Sequence, residues 1–217
     1  MQDSIIFIDF EGSKTLGVLE YGLVHCHGTN IVETNSDLCS SEQILQYRDT
    51  QLHGIANEDI HKKSLFTSHW ELFAKSRESS IFVAHNASVE NNFLKWTWPH
   101  PRLSINPLNK ENQSQSWGPW IDTLNLYKKY YPKLETYKLR DLIQIFNLQE
   151  KLMDLGITFC PKTRCKYHCA LYDCLASYCL LNNLILTVYK NYSVKQMLID
   201  SQPPKMQMES WQQTFPF

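Results

Sequence analysis

Two carboxylates, Asp9 and Glu11, stand two residues apart in the stretch SIIFIDFEG at Ser4–Gly12. Ile5, Ile6, Phe7, Ile8 and Phe10 make this stretch a strand apolar on both faces, hence central in a sheet. Side chains two apart on a strand point the same way, so both acids leave one face together. Like charges buried side by side are costly unless a cation neutralises them, and a pair of hard oxygen ligands on a rigid strand suits Mg2+ or Mn2+. Taken alone, the pair fits equally well a strand that runs out into a solvated acidic turn at Gly12-Ser13. Further acids and a base elsewhere in the chain decide between the two. Glu90 lies in HNASVENNFL, where Asn86 is placed to cap a helix and Glu90 falls about one turn in. His168 and Asp173 lie in HCALYD. Five residues on an ideal helix turn through about 500°, leaving these two roughly 140° apart. They share one site only if His168 sits in the loop before the helix, and Pro161, Lys162, Thr163 and Arg164 upstream fit such a loop.

The elements that must position these residues follow from pattern. After the first strand, Leu16–His25 and Asn30–Glu33 read as second and third strands of an antiparallel meander, with Gly28-Thr29-Asn30 as the turn. Ser40-Ser41-Glu42 opens a short helical stretch through Tyr47, and Asn57 caps a turn at Glu58-Asp59. Thr67–Ser76 reads as an amphipathic helix and Ser80–Ala84 as a short apolar strand delivering the Glu90 segment. Residues 97–120 read as a long polar loop rich in Pro, Asn, Gln and Ser, without regular structure. Asp122-Thr123 is a good N-cap pair for a helix that Pro132 ends. Tyr137–Leu148 gives another amphipathic helix and Tyr167–Leu186 a long one, followed by a tail with a short helix at Val194–Asp200. Other histidines and acids read as structural: His85 as a hydrogen-bonded core group, His53 as a turn histidine, Asp122 as a helix cap. Cys160, Cys165, His168 and Cys169 lack the paired C-x2-C spacing of common zinc sites and are not read as one.

A chain of 217 residues with 43% hydrophobic and 20% charged residues supports one α/β domain with a substantial core, or a domain plus a tail. No secretory signal is recognisable, and no apolar run approaches the roughly 18 residues of a membrane span. Seven cysteines, five of them in Cys160–Cys179, then fit reduced thiols in a cytoplasmic protein rather than a disulfide framework. The net charge of −1 conceals two basic segments: Tyr127–Arg140 at +4 and Pro161–Tyr167 at +3, which leave −8 on the rest. Two basic segments on an acidic body fit a limited groove, not a broad polyanion-binding surface.

IDFEG, AHNASVENNFL and HCALYD, in that order and at these separations, resemble the three motifs of the DnaQ-like, or DEDDh, 3′→5′ exonucleases. HGIANEDI, WIDTLNL and KLRDLIQIFNL resemble the landmarks between them, and the likeness spans about Ile5–Leu186. It implies a ribonuclease H-like three-layer α/β fold, a mixed five-stranded sheet flanked by helices, over residues 1–190, with 191–217 as a tail of unassigned role. It implies two divalent cations, Mg2+ or Mn2+, with Asp9 bridging them, Glu11 and Asp173 on one of them, and His168 as general base. The second motif normally carries Asp where this chain has Glu90, whose longer arm bears on the second cation. It also implies that the backbone at Phe10 and Gly12 lies beside the terminal nucleotide of a single-stranded or 3′-overhang DNA or RNA. Lys162, Arg164 and Lys166, just before His168, are then placed to meet upstream phosphates, with the tyrosines of Tyr127–Tyr137 as a rival stacking platform. The alternative function is a catalytically weakened nucleic-acid-binding or proofreading subunit of a polymerase assembly. Gln213–Phe217 faintly resembles peptides that dock on sliding clamps, with Pro216 where an aliphatic residue is usual.

Overall fold

Strand β1 (Ser4–Ser13) is the axis of the fold in this computed structural model, which describes residues 4–202. It pairs antiparallel with β2 (Gly17–His27), which pairs antiparallel with β3 (Asn30–Leu38). The chain then runs through α1 (Tyr47–His53), α2 (Asn57–Ile60) and α3 (Trp70–Ser79) to β4 (Ile81–Ala84), parallel to β1. Helix α4 (Ala87–Thr97) and a hairpin of β5 (Ser104–Asn106) and β6 (Asn109–Ser114) lead to β7 (Ile121–Asp122). The sheet is five-stranded and mixed, in the order β3-β2-β1-β4-β7. Helices α5 (Thr123–Tyr130), α6 (Leu139–Ile145), α7 (Gln149–Phe159), α8 (Ala170–Leu184) and α9 (Val194–Asp200) complete the chain.

Strand alternation divides the core. Ile5 and Phe7 pack with α8 and its neighbours on one face of the sheet. Ile6, Ile8 and Phe10 face an aromatic cluster of Phe66, Phe73, Phe82, Phe93, Trp117 and Trp120 on the other. Asp9 and Glu11 share the parity of Ile5 and Phe7, so β1 aims both acids toward the α8 side.

The structure departs from pattern in several places. Strand β3 runs on to Leu38 because its polar end pairs residue by residue with β2, Leu38 opposite Glu20, and pairing outweighs propensity at an edge. Ser40 bridges Leu65 instead of opening a helix; the helix begins at Tyr47, where the Asp49 carboxylate accepts the Gln46 amide at 3.0 Å. Residues 97–120 hold the β5–β6 hairpin and are anchored by Trp117, which is fully buried with its indole N–H donating to Trp98 O at 2.8 Å. Buried Arg77 donates to the carbonyls of Ser116 and Trp117 at 3.1 and 3.0 Å and of Gly118 at 2.6 Å. Helix α7 has no counterpart in the pattern because Gly156 weakens the helical signal. A Cβ there would lie 2.9 Å from the Tyr172 ring and 2.8 Å from Cys165 Sγ, so glycine is what lets α7 approach α8.

Helix α8 and its π-helical continuation, Ala170–Tyr189, are long and apolar enough by composition to cross a membrane, contrary to the expectation of no such run. Burial of 72% of that apolar window shows why: this is the central helix of a two-sided core. Helix α9, expected in the tail, packs Val194, Met197 and Leu198 into the same core. Asp200 ties it down, accepting from Lys129 at 2.5 Å, Tyr189 at 3.1 Å, Gln196 at 2.9 Å and the Tyr130 hydroxyl. The clamp-like peptide Gln213–Phe217 lies outside the described residues.

One contact sets the depth at which α8 meets the sheet. A Cβ at Gly22 would fall 2.4 Å from both Ala170 C and Leu171 N, so backbone touches backbone there. Gly22 pairs across the sheet with Asp9, and Cys174 Sγ donates to Gly22 O at 3.1 Å. Gly22→Ala should therefore displace the N-terminus of α8, costing about 3 kcal/mol as overpacking against unyielding backbone. Thermal unfolding should read this as a melting temperature roughly 6–12 °C lower; an unchanged value would mean the contact is soft.

Candidate active site

At the carboxyl end of β1 the four acids singled out in the sequence converge. Asp9 is half-buried, while Glu11, Glu90 and Asp173 are buried. Burial, then the charges of Glu90, Asp173 and Glu11, hold the Asp9 carboxyl well above its ordinary range. Glu11 is pushed up to about 8 by burial and by Asp173 and Glu20, with Arg164 opposing. Burial and Glu11 raise Glu90, while a hydrogen bond from the Phe10 amide opposes. Asp173 rises to about 7 through burial, against a hydrogen bond from the His168 amide at 3.0 Å.

Such a cluster calls for positive charge. Glu90 Oε2 and Asp173 Oδ1 are buried with no hydrogen-bond partner among the described residues, which is costly for carboxylate oxygens unless a cation meets them. Ligand atoms of Glu11, His168 and Asp173 lie within 4.8 Å of one another. Hard oxygen donors in this number fit a divalent metal cation.

His168 sits in the loop before α8, as its sharing of a site with Asp173 requires; the helix starts at Ala170, not Tyr167. Its backbone is left-handed, with φ at 62°, a region non-glycine residues rarely occupy. The imidazole is 58% exposed, with Nδ1 3.9 Å from Glu11 Oε1. It therefore faces the acids yet remains open to solvent. His168 groups with Glu11 and Asp173, not with Cys160, Cys165 and Cys169, and the cysteines are free thiols.

Helix α4 carries Glu90, and its N-terminus is organised differently from expectation. Asn86 is left-handed, with φ at 70°, and makes no side-chain cap. Asp122, at the end of β7, accepts the Asn86 and Ala87 amides at 3.0 and 3.1 Å and also caps its own helix α5 through Leu124 N at 2.9 Å. One carboxylate thus secures two helix starts, which only the adjacency of β4 and β7 allows. His85 is bonded to Thr123 Oγ1 at 2.9 Å and to Tyr137 O at 2.8 Å, with burial pulling it down to about 4. His53 is buried, and its Nδ1 accepts the Ile55 amide at 3.1 Å. Both histidines are structural, as read.

Phe10 is buried in the aromatic cluster. Gly12 stands at a bulge with φ at 148°, where a Cβ would lie 2.2 Å from Gly17 O. Lys162 and Lys166 are exposed. Arg164, by contrast, has a side chain 14% exposed and paired with Glu20. Glu20 was missed in the sequence; a lone acid within the apolar strand LEYGLV was the available signal. In the tyrosine segment, the Tyr130 hydroxyl donates to Asp200 and the Tyr137 hydroxyl to Tyr131 O at 2.9 Å, while both residues stay partly exposed.

A family model described as Exonuclease (RNase_T) matches residues 7–181. The PolC-type DNA polymerase III of Thermotoga maritima is 28% identical over 150 residues, 67% of this chain and 10% of that protein. The PolC-type enzyme of Mycoplasmopsis pulmonis is 26% identical over 125 residues, 58% of this chain and 8% of that protein. The chain thus spans about a tenth of the length of these relatives. Among solved structures, exonuclease X in complex with 5′-overhanging duplex DNA superposes with a TM-score of 0.64 at 22% identity, over 91% of this chain and 99% of that one. The nuclease domain of 3′hExo, a DEDDh family member bound to rAMP, gives 0.59 at 15% identity, over 88% and 98%. A zinc-bound E. coli exonuclease I–ssDNA complex gives 0.61 at 13%, over 87% and 42%. At these identities the likeness is one of fold: the mixed five-stranded, ribonuclease H-like sheet flanked by helices.

Proposed function

Because the chain belongs to the RNase_T exonuclease family, we propose that it hydrolyses nucleic acids from the 3′ end, releasing nucleoside 5′-monophosphates with the help of two divalent cations. The observation that carries this reading is the convergence of Asp9, Glu11, Glu90 and Asp173 at the end of β1, with carboxylate oxygens left unpartnered and an open histidine beside them.

Asp9, Glu11, Glu90 and Asp173 would hold the two cations, Mg2+ or Mn2+. Bound there, such ions neutralise the scissile phosphate, activate water and stabilise the departing 3′ oxygen. The protein's own part is positional and electrostatic. The backbone contact at Gly22, the cross-strand partner of Asp9, seats the start of α8 beside the acids of β1. His168, solvent-open and facing the acids, accepts the proton of the attacking water and can pass it to bulk solvent. Glu90 interacts with the Phe10 backbone amide beside Asp9 and Glu11, and its buried Oε2 has no hydrogen-bond partner among the described residues. This supports an active enzyme with glutamate in place of the usual aspartate.

The substrate is a single-stranded or 3′-overhang DNA or RNA whose terminal nucleotide lies against the backbone of Phe10 and Gly12. Lys162 and Lys166 meet its upstream phosphates. Replacing both with Gln should weaken binding and flatten the log–log salt dependence by about 1.4 units, at roughly 0.7 per contact on a single strand, while saturated turnover changes little. An unchanged slope in oligonucleotide titrations across salt would place the strand elsewhere. The likeness to PolC-type polymerases supports a second reading, a proofreading subunit acting beside a polymerase. Free cysteines support a reducing, cytoplasmic setting, and the packing of α9 supports a domain that extends through Asp200.

The decisive experiment incubates a 3′-labelled oligonucleotide with Mg2+ or Mn2+, with and without EDTA. Release of labelled mononucleotide that EDTA abolishes is expected. Tight binding without release would instead establish the weakened, binding-only alternative.

A further inference from the structure

Arg164 stands four residues before His168, at the end of a 3-10 turn over Lys162–Arg164. Its guanidinium is committed inward on every side. Nε donates to Glu20 Oε1 at 2.9 Å, and Nη2 donates to Glu20 Oε2 in a two-pronged ion pair. Nη1 donates to His53 O at 2.8 Å, at the C-terminus of α1. Nη2 also reaches His168 O at 3.4 Å. Glu20, 4% exposed, accepts in addition the Ala170 amide at 3.1 Å. The pair therefore grips the chain on both sides of Cys169, at the carbonyl of residue 168 and the amide of residue 170.

The grip falls where it matters. A non-glycine residue in the left-handed region stays there only when its surroundings over-determine it. The His168 amide is bound to Asp173 Oδ2, and its carbonyl is reached by Arg164. Its imidazole, by contrast, is 58% exposed, with Nδ1 3.9 Å from Glu11 Oε1 and ligand atoms of Glu11 and Asp173 within 4.8 Å. Backbone placement, not side-chain packing, sets where the ring points. Glu20 is also the cross-strand partner of Glu11, so the latch is built on the same rung of the sheet as a proposed cation ligand.

We infer that Arg164 is a positioning residue that acts through Glu20 to set the His168 imidazole against the acidic cluster; this rests on the reading of His168 as the base. A bidentate guanidinium–carboxylate pair has a fixed planar geometry that an ammonium does not reproduce. Arg164→Lys should therefore fail as a replacement although it keeps the charge.

The test measures kcat, KM and salt dependence on a labelled single-stranded oligonucleotide with Mn2+. The variants are Arg164→Met, Arg164→Lys, Glu20→Gln and His168→Ala, with Arg164→Met and Arg164→Lys each also combined with His168→Ala. Arg164→Met and Arg164→Lys should each lower kcat about ten- to hundredfold, the scale of a misplaced reacting group. KM and the salt slope should hold. In the His168→Ala background the same substitutions should change kcat by less than about twofold, since residues acting through one group are non-additive. A higher KM with a flatter salt slope would make Arg164 a phosphate contact and overturn the inference. So would an undiminished loss in the His168→Ala background. Failure of the underlying reading is separable: a His168→Ala enzyme with wild-type turnover removes the base, and the latch with it. If circular dichroism shows Arg164→Met unfolded, Arg164→Lys and Glu20→Gln carry the same comparison.

Discussion

Asp9→Ala should abolish hydrolysis and, in the absence of divalent cations, should raise the melting temperature. The first effect follows from its place among the proposed ligands: a site without that carboxylate would hold its cations poorly. The second follows from the electrostatics. Asp9 adds charge to a cluster in which Glu11 is pushed up to about 8 and Asp173 to about 7. Each of these acids has a folded pKa above its unfolded value, so between about pH 4 and pH 8 the folded state holds more protons than the unfolded state. Stability of the cation-free protein must then fall as pH rises through that window. Asp9→Ala relieves part of the repulsion and should flatten the fall. Adding Mg2+ or Mn2+ should stabilise the wild-type protein and do little for the variant. Melting curves at several pH values, with and without cation, check all three statements. Metal-dependent cleavage by purified Asp9→Ala protein would refute the ligand assignment.

His168→Ala should lower turnover by about a hundredfold or more, the scale of losing general-base assistance. Partial recovery at high pH is expected, because hydroxide replaces the lost proton acceptor. His85→Ala and His53→Ala should act on stability instead. His85 bridges Thr123 and Tyr137 from within the core, and His53 closes the turn at Ile55 while its carbonyl receives Arg164. A larger loss of kcat from either of these than from His168→Ala, in variants that melt normally, would move the base assignment to that histidine.

The candidate site residues were legible in the sequence because each stands in a local signal, and the resemblance to DEDDh exonucleases joined those signals into one site. Asp9 and Glu11 two apart on an apolar strand, Glu90 one turn into a helix and Asp173 five residues after His168 need only strand and helix periods to be placed. The same periods yield β1, β4, α5 and α9, and the departure of Asp9 and Glu11 from one face of β1. The scaffold around those residues was decided by contacts between distant segments, which no local period encodes. Glu20 meets Arg164 across 144 residues because β2 pairs with β1 in a register that puts Glu20 beside Glu11. Asp122 caps the helix of Glu90 across 36 residues because β7 lies next to β4. The polar segment 97–120 becomes ordered because Trp117 finds a cavity among Trp70, Phe82 and Trp98. Gly22 reads as an unremarkable strand glycine until α8 lands on it. Local pattern singled out the candidate acids and histidine, and the resemblance joined them into one candidate site; register and packing, which sum over the whole chain, decided what holds them in place.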